Sequence, residues 1–142
     1  MAELAGRVGD GYISTKPDPD LLAAFRSGGG QGKPTQAGYK VCWDTDAKRA
    51  QQTAHRLWAN EQLPGELAQE LPTAQHFEQA SGLVTEAMVA EALVCGDDVE
   101  AHQAAMRTYI DAGYDEIYVN QIGDNHEGFF SFYRDQILPK IR

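Results

Sequence analysis

Three short segments carry side chains able to bind or orient a small molecule: Ser14-Thr15-Lys16, Trp43-Asp44 and Gln121-Ile122-Gly123. Each lies where a run that reads as a β-strand ends. A threonine hydroxyl and a lysine ammonium suit an anionic or hydroxylated ligand. An indole offers a flat apolar wall with one N–H donor, and a glutamine amide both donates and accepts. This is binding chemistry. The segments hold no acid/base pair and no nucleophile beside a base, so no catalytic residue is assigned. Thr15 and Trp43 read equally well as packing residues, and Asp44 reads as a helix cap.

Other chemistries find less support. The histidines, His55, His76, His102 and His126, make no His-x-x-x-His pair, and the cysteines make no Cys-x-x-Cys, so no metal site is expected. His102 is predicted in the core and His126 in a solvated turn. Gly28-Gly29-Gly30-Gln31-Gly32-Lys33 imitates a phosphate loop but follows a helix and precedes a strand, the reverse of what such a loop needs. There is no Gly-x-Ser-x-Gly. Cys42 and Cys95 sit in apolar runs, one read as strand interior and the other as a helix end. They are expected to be reduced core thiols that are not bonded to each other.

The elements that position the strand ends can be read in order. Ala2-Glu3-Leu4-Ala5 is the tail of a helix, and Gly9 and Gly11 make a turn before a strand over 12–15. Asp18-Pro19 opens a helix over 19–27 by N-cap and first-turn proline, which the glycines after Ser27 close. A polar, flexible loop over 31–36 leads to a strand over 37–43. The segment 44–47 caps a long helix with Ala47, Ala50, Ala54, Leu57 and Trp58 on its apolar face. Residues 60–75 are irregular, with single helical turns. Short helices follow over 76–81 and from Thr85 to Leu93. A capping box of Asp97 and Glu100 starts a helix with Val99, His102, Met106, Tyr109 and Ile110 on one face. The third strand covers 116–122 and is expected to be buried on both sides. The last helix carries Phe129, Phe130, Tyr133, Ile137 and Leu138 and stops at Pro139. Helix–strand–helix repetition makes this a parallel α/β fold, whose ligands bind where strands end.

Composition narrows the function class. The 142 residues fit one domain, 42% hydrophobic and 23% charged, with net charge −9. No basic cluster interrupts that charge, so nucleic acid and anionic membranes are not expected partners. The N-terminus has no basic and apolar leader, and no apolar run is long enough to span a bilayer. A cytoplasmic protein is expected.

At this point a family becomes visible. The run 5–13, Ala-Gly-Arg-Val-Gly-Asp-Gly-Tyr-Ile, resembles the segment after the fifth strand of the bacterial luciferase-like flavin and deazaflavin oxidoreductases. Val41-Cys42-Trp43, Leu63-Pro64-Gly65-Glu66-Leu67, His76-Phe77-Glu78-Gln79-Ala80, and Gln121-Ile122-Gly123 with Glu127-Gly128-Phe129-Phe130 resemble its coenzyme F420-dependent glucose-6-phosphate dehydrogenase branch. The resemblance implies α/β architecture as the C-terminal half of a (β/α)8 TIM barrel: three parallel strands with helices, the sixth to eighth of the barrel, in one half-barrel domain over 1–142. A whole barrel takes ~250 residues. The family's phosphate-cradling turn, catalytic histidine and acid glutamate would precede Met1, and no residue here corresponds to them. Thr15 matches a threonine that contacts substrate phosphate in the family. Its partner lysine corresponds to Asp18 here, and a basic residue expected near Ala92 is missing, which disfavours a sugar phosphate.

The resemblance thus implies hydride transfer between deazaflavin (coenzyme F420, rather than FMN) and an organic substrate, with Thr15, Lys16, Trp43 and Gln121 as a substrate wall. The alternative is a non-catalytic, truncated or split-gene half that acts only by pairing with another half. Either an N-terminal half-barrel or a second copy would be its partner. Alone, the chain is expected to be catalytically silent and to self-associate.

Overall fold

The computed structural model describes residues 1–141. In chain order these form α1 (Ala2–Val8), β1 (Tyr12–Ser14), α2 (Pro19–Phe25), β2 (Thr35–Cys42), α3 (Ala47–Trp58), α4 (Leu67–Glu70), α5 (Ala74–Ser81), α6 (Glu86–Ala92), β3 (Val94–Cys95), α7 (Val99–Asp111), β4 (Glu116–Gln121) and α8 (His126–Phe132). Local signals explain most of the boundaries. Asp18 caps α2 through Asp20 and Leu21 N–H, Asp46 caps α3, Thr73 caps α5 and Thr85 caps α6. The chain divides into two compact units. One is Met1–Tyr39 with Glu100–Asn120 and Ile141; the other is Lys40–Val99 with Gln121–Lys140. β2 and β4 run from the first into the second.

In the first unit β1 pairs in parallel with the start of β2, Tyr12 opposite Thr35 and Ser14 opposite Ala37. Asp115 N–H donates to Thr35 O at 3.1 Å where β4 begins on the other side of β2. Helix α1 lies on α2 and on the turn Arg26–Gly30. The core is Ala2, Leu22, Phe25, Ala37, Tyr109 and Tyr114. Ring stacking of Tyr12 on Phe25 and Tyr39 on Tyr109, at 5.1 and 5.0 Å, ties strands to helices. Gly9 and Gly11 make the turn before β1 without positive φ. They serve by close approach: a Cβ on Gly11 would sit 2.9 Å from Pro34 O. The polar loop is shorter than the expected 31–36. Thr35 and Gln36 already belong to β2, and Lys33 Nζ donates to Gly6 O and Gly9 O at 2.7 and 2.8 Å. The ammonium thereby satisfies carbonyls at the C-terminal end of α1.

In the second unit the core is Cys42, Ala50, Ala54, Ala59, Leu63, Val84, Val89 and Ile122. Ile122 N–H donates to Val41 O at 2.9 Å, which carries the β4 pairing to the end of β2. A fourth strand was not expected from sequence. β3 is only two residues long and pairs in parallel with β2, Val41 opposite Val94 and Cys42 opposite Cys95. Cys95 is therefore in a strand, not at a helix end, and the two cysteines share one layer. Both are free thiols. Other boundaries shift. α7 starts at Val99, so Asp98 and not Asp97 precedes it. Asp46, not Asp44, caps α3. His126 opens α8 instead of lying in the turn, and Pro139 lies inside a final 3-10 turn, Leu138–Lys140. Of the expected last stripe, Phe129, Tyr133 and Ile137 are buried, while Phe130 and Leu138 are exposed.

Candidate functional site

Trp43 follows directly on β2 and Gln121 ends β4. Parallel pairing of those strands brings the two residues together in the second unit. Trp43 N–H donates to Gln121 Oε1 at 2.8 Å, and Gln121 Nε2 donates to Trp43 O at 3.0 Å. The amide thus clamps the main chain of Trp43 from both sides, extending the ladder past the strand end. Its two polar atoms face Trp43, so Gln121 acts on a pocket through Trp43. The sequence offered no signal for this pairing.

Trp43 is buried, with 7% of the residue exposed. Its six-membered ring lies on Gly128, where a Cβ would fall within 2.6 Å of Cη2. Phe132 packs at 5.7 Å between ring centres. Asn125 caps α8 by accepting from Gly128 N–H at 3.0 Å, holding that glycine under the ring. Trp43 Nε1 has no hydrogen-bond partner among the described residues. A buried N–H without an acceptor is costly, on the order of 1–3 kcal/mol.

Beside the indole opens a cavity of about 220 Å³, lined by Cys42, Trp43, Asp44, Arg49, Arg56 and Asp124 among others. Asp44 accepts from Arg49 Nε at 2.8 Å and from Asp46 N–H at 2.9 Å. The Arg49 guanidinium holds its carboxyl below the usual range. Burial, with Asp44 nearby, pushes the Cys42 thiol up.

Thr15 and Lys16 lie in the first unit, after β1. Both are exposed. Their main chain is held by two tyrosines that sequence reading treated as core residues only or passed over. Tyr109 OH donates to Thr15 O and Tyr114 OH to Lys16 O, each at 3.2 Å. Ser14 Oγ accepts from Lys16 N–H at 3.1 Å. The Thr15 hydroxyl and the Lys16 ammonium make no hydrogen bond to another described residue. A larger cavity of about 440 Å³ in this unit lies at the opposite, N-terminal end of β2. Its charged groups are already engaged: Arg26 on Gly113 O, Lys33 on α1, and Asp115 on Thr35. His102 is fully buried, as expected. No cluster of three metal-ligating side chains occurs among the described residues, and none of their helices is long and apolar enough to cross a membrane.

No protein-family model matches the chain. Its fold matches an F420-dependent secondary alcohol dehydrogenase solved with an F420–acetone adduct, TM-score 0.74 and 18% identity, over 99% of this chain and 46% of that one. It also matches the coenzyme F420-dependent tetrahydromethanopterin reductase of Methanopyrus kandleri, TM-score 0.64 and 16% identity, over 100% of this chain and 48% of the other. The fold is that of about half of a (β/α)8 barrel.

Sequence relatives then narrow the class. An F420-dependent glucose-6-phosphate dehydrogenase of Nakamurella multipartita is 29% identical over 151 residues, 98% of this chain and 44% of the relative. That of Amycolatopsis mediterranei is 25% identical over 154 residues, 100% of this chain and 46% of the relative. Over nearly its whole length the chain is similar to part of these F420-dependent glucose-6-phosphate dehydrogenases. It spans about half the length of the curated relatives it matches.

Proposed function

We propose that this chain forms the substrate-side part of a coenzyme F420-dependent oxidoreductase that transfers a hydride between the deazaflavin and an organic substrate. Similarity along its whole length to F420-dependent dehydrogenases carries the reading. The cavity lined by Trp43, Asp44 and Arg49 supports it, since it gives a small molecule room beside the strand ends. The residues present fit the ring or substrate side of such a site but not a phosphate tail. The N-termini of α2 and α3 are filled by the carboxylates of Asp18 and Asp46, where a phosphate would need open N–H groups.

When bound, the deazaflavin supplies the two-electron hydride chemistry. Trp43 provides a flat wall that keeps water off one face of the ligand, and Gln121 fixes the position of that wall. In the first unit, taken by itself, the exposed Thr15 hydroxyl and Lys16 ammonium offer polar groups to a ligand oxygen. Asp18, engaged in capping α2, stands where the resemblance implies a lysine, which disfavours a sugar phosphate as substrate. The activity belongs to a complete barrel, with an N-terminal half-barrel or a second copy as partner. The chain alone is silent because none of its residues forms an acid/base pair at these positions. The protein is assigned to the cytoplasm.

Titration with F420, read by quenching of deazaflavin fluorescence, tests the reading. Saturable quenching that Trp43→Leu abolishes and Trp58→Leu leaves intact is expected. No quenching by the folded chain would leave only the non-catalytic half that acts by pairing.

A further inference from the structure

We propose that Cys42 and Cys95 form a dithiol that oxidises reversibly to an intramolecular disulfide joining β2 to β3, a modification site next to Trp43. The two cysteines, far apart in sequence, are register partners on neighbouring parallel strands of the second unit. Neighbouring strands lie about 4.7–4.9 Å apart, inside the Cα–Cα window of about 4.4–6.8 Å that a disulfide can span. Residues directly opposite in a ladder share one face, and both thiols belong to the same apolar cluster with Ala50, Ala54 and Val89. Burial disfavours ionisation of Cys95, and charge on Cys42 is felt there and adds to it. Gly96 N–H donates to Cys42 O at 2.9 Å, so the strands are held together where the cross-link would form.

Access runs through Cys42, which lines the 220 Å³ cavity although its own exposure is 1%, and through Cys95, which is half-buried. The step breaks two S–H bonds and forms one S–S bond. Two electrons and two protons pass to the oxidant, a diazenedicarboxamide that becomes the hydrazine or a peroxide that becomes water. Burial keeps both thiols protonated at neutral pH, so the reduced pair is the resting state and the reaction is slow. The cross-link would lock the segment carrying α3 to α6 onto the end of β2, beside the residue assigned to the ligand wall.

The intact chain is incubated with diamide under native conditions until the mass stops changing, then denatured in acid-quenched urea, alkylated with N-ethylmaleimide and mapped by mass spectrometry. The expected result is loss of two hydrogens per chain, loss of both alkylation sites, a Cys42–Cys95 linked peptide, and recovery of both thiols with dithiothreitol. Cys95→Ser should keep its mass and its alkylatable Cys42. Should that variant not fold, the peptide map of the unmodified chain decides by itself. Two alkylatable thiols persisting under conditions that fully oxidise free glutathione, or disulfides formed only between chains, would overturn the proposal.

Discussion

Replacing Gln121 with leucine should loosen the wall that Trp43 provides, and the size of the effect follows from its two bonds. Gln121 receives the Trp43 N–H at 2.8 Å and donates to the Trp43 carbonyl at 3.0 Å. Leucine fills a similar volume but satisfies neither group. A main-chain group left unpaired in a buried setting costs about 1–3 kcal/mol. Gln121 is only half-buried, so water partly replaces it, and a total of about 2–4 kcal/mol is expected. With a urea slope of about 1–3 kcal/mol per molar, the unfolding midpoint should fall by roughly 1–2 M at unchanged slope. Tryptophan emission should shift to the red in the native baseline.

Gln121→Glu sharpens the test. One carboxylate oxygen can still accept from Trp43 N–H, but the other faces the Trp43 carbonyl and repels it. Only the protonated acid restores the second bond. The folded-state pKa of that glutamate is therefore raised above its unfolded value of about 4.3. Stability from the bond is fully present below the unfolded pKa and is lost as pH rises through the folded one. The variant should come close to the parent in acid and fall behind toward neutrality. A midpoint shift of Gln121→Leu below about 0.2 M, equivalent to less than about 0.5 kcal/mol, would refute the clamp. So would a Gln121→Glu deficit that does not change with pH.

Gly128→Ala places a methyl group against the Trp43 ring. It should destabilise the chain by about 1–3 kcal/mol through overpacking, seen as a lower melting temperature with altered tryptophan emission. The Asp115 carboxyl is held below its usual range by hydrogen bonds from Thr35, with Arg26 adding to the effect. Its stabilisation is present above the unfolded value of about 3.9 and is lost as pH falls through the folded one. Asp115→Asn should therefore flatten the acid limb of a stability–pH curve, whereas an unchanged limb would place that loss elsewhere. Burial pushes the Cys95 thiol up to about 11. Its contribution is present below the unfolded pKa of about 8.5 and is lost as pH rises through about 11, worth about 1–2 kcal/mol after allowance for its partial exposure. Alkaline unfolding of Cys95→Ala should lack that component.

What the amino-acid order determines by itself is local. Asp18 before Pro19, Asp46 before Ala47, and Thr85 before Glu86 each cap a helix, because a side-chain oxygen two or three residues away is all that an N-terminal N–H requires. The strand at β2 and the burial of His102 on α7 follow from patterns within single elements, whereas β4, expected to be buried on both sides, alternates exposed and half-buried residues. The family pattern was legible for the same reason, being carried by short contiguous motifs. Tertiary structure alone decided the pairs. Val94-Cys95 has no strand signal that its neighbours do not overwhelm, and it becomes a strand because β2 offers unpaired main-chain groups at Val41 and Cys42. Gln121 reaches Trp43, Tyr109 and Tyr114 reach the main chain of Thr15 and Lys16, and Lys33 reaches the end of α1. Each of these contacts joins residues that only folding makes neighbours. Spacing along the chain holds no record of them, since each depends on two strands or a strand and a helix coming into register.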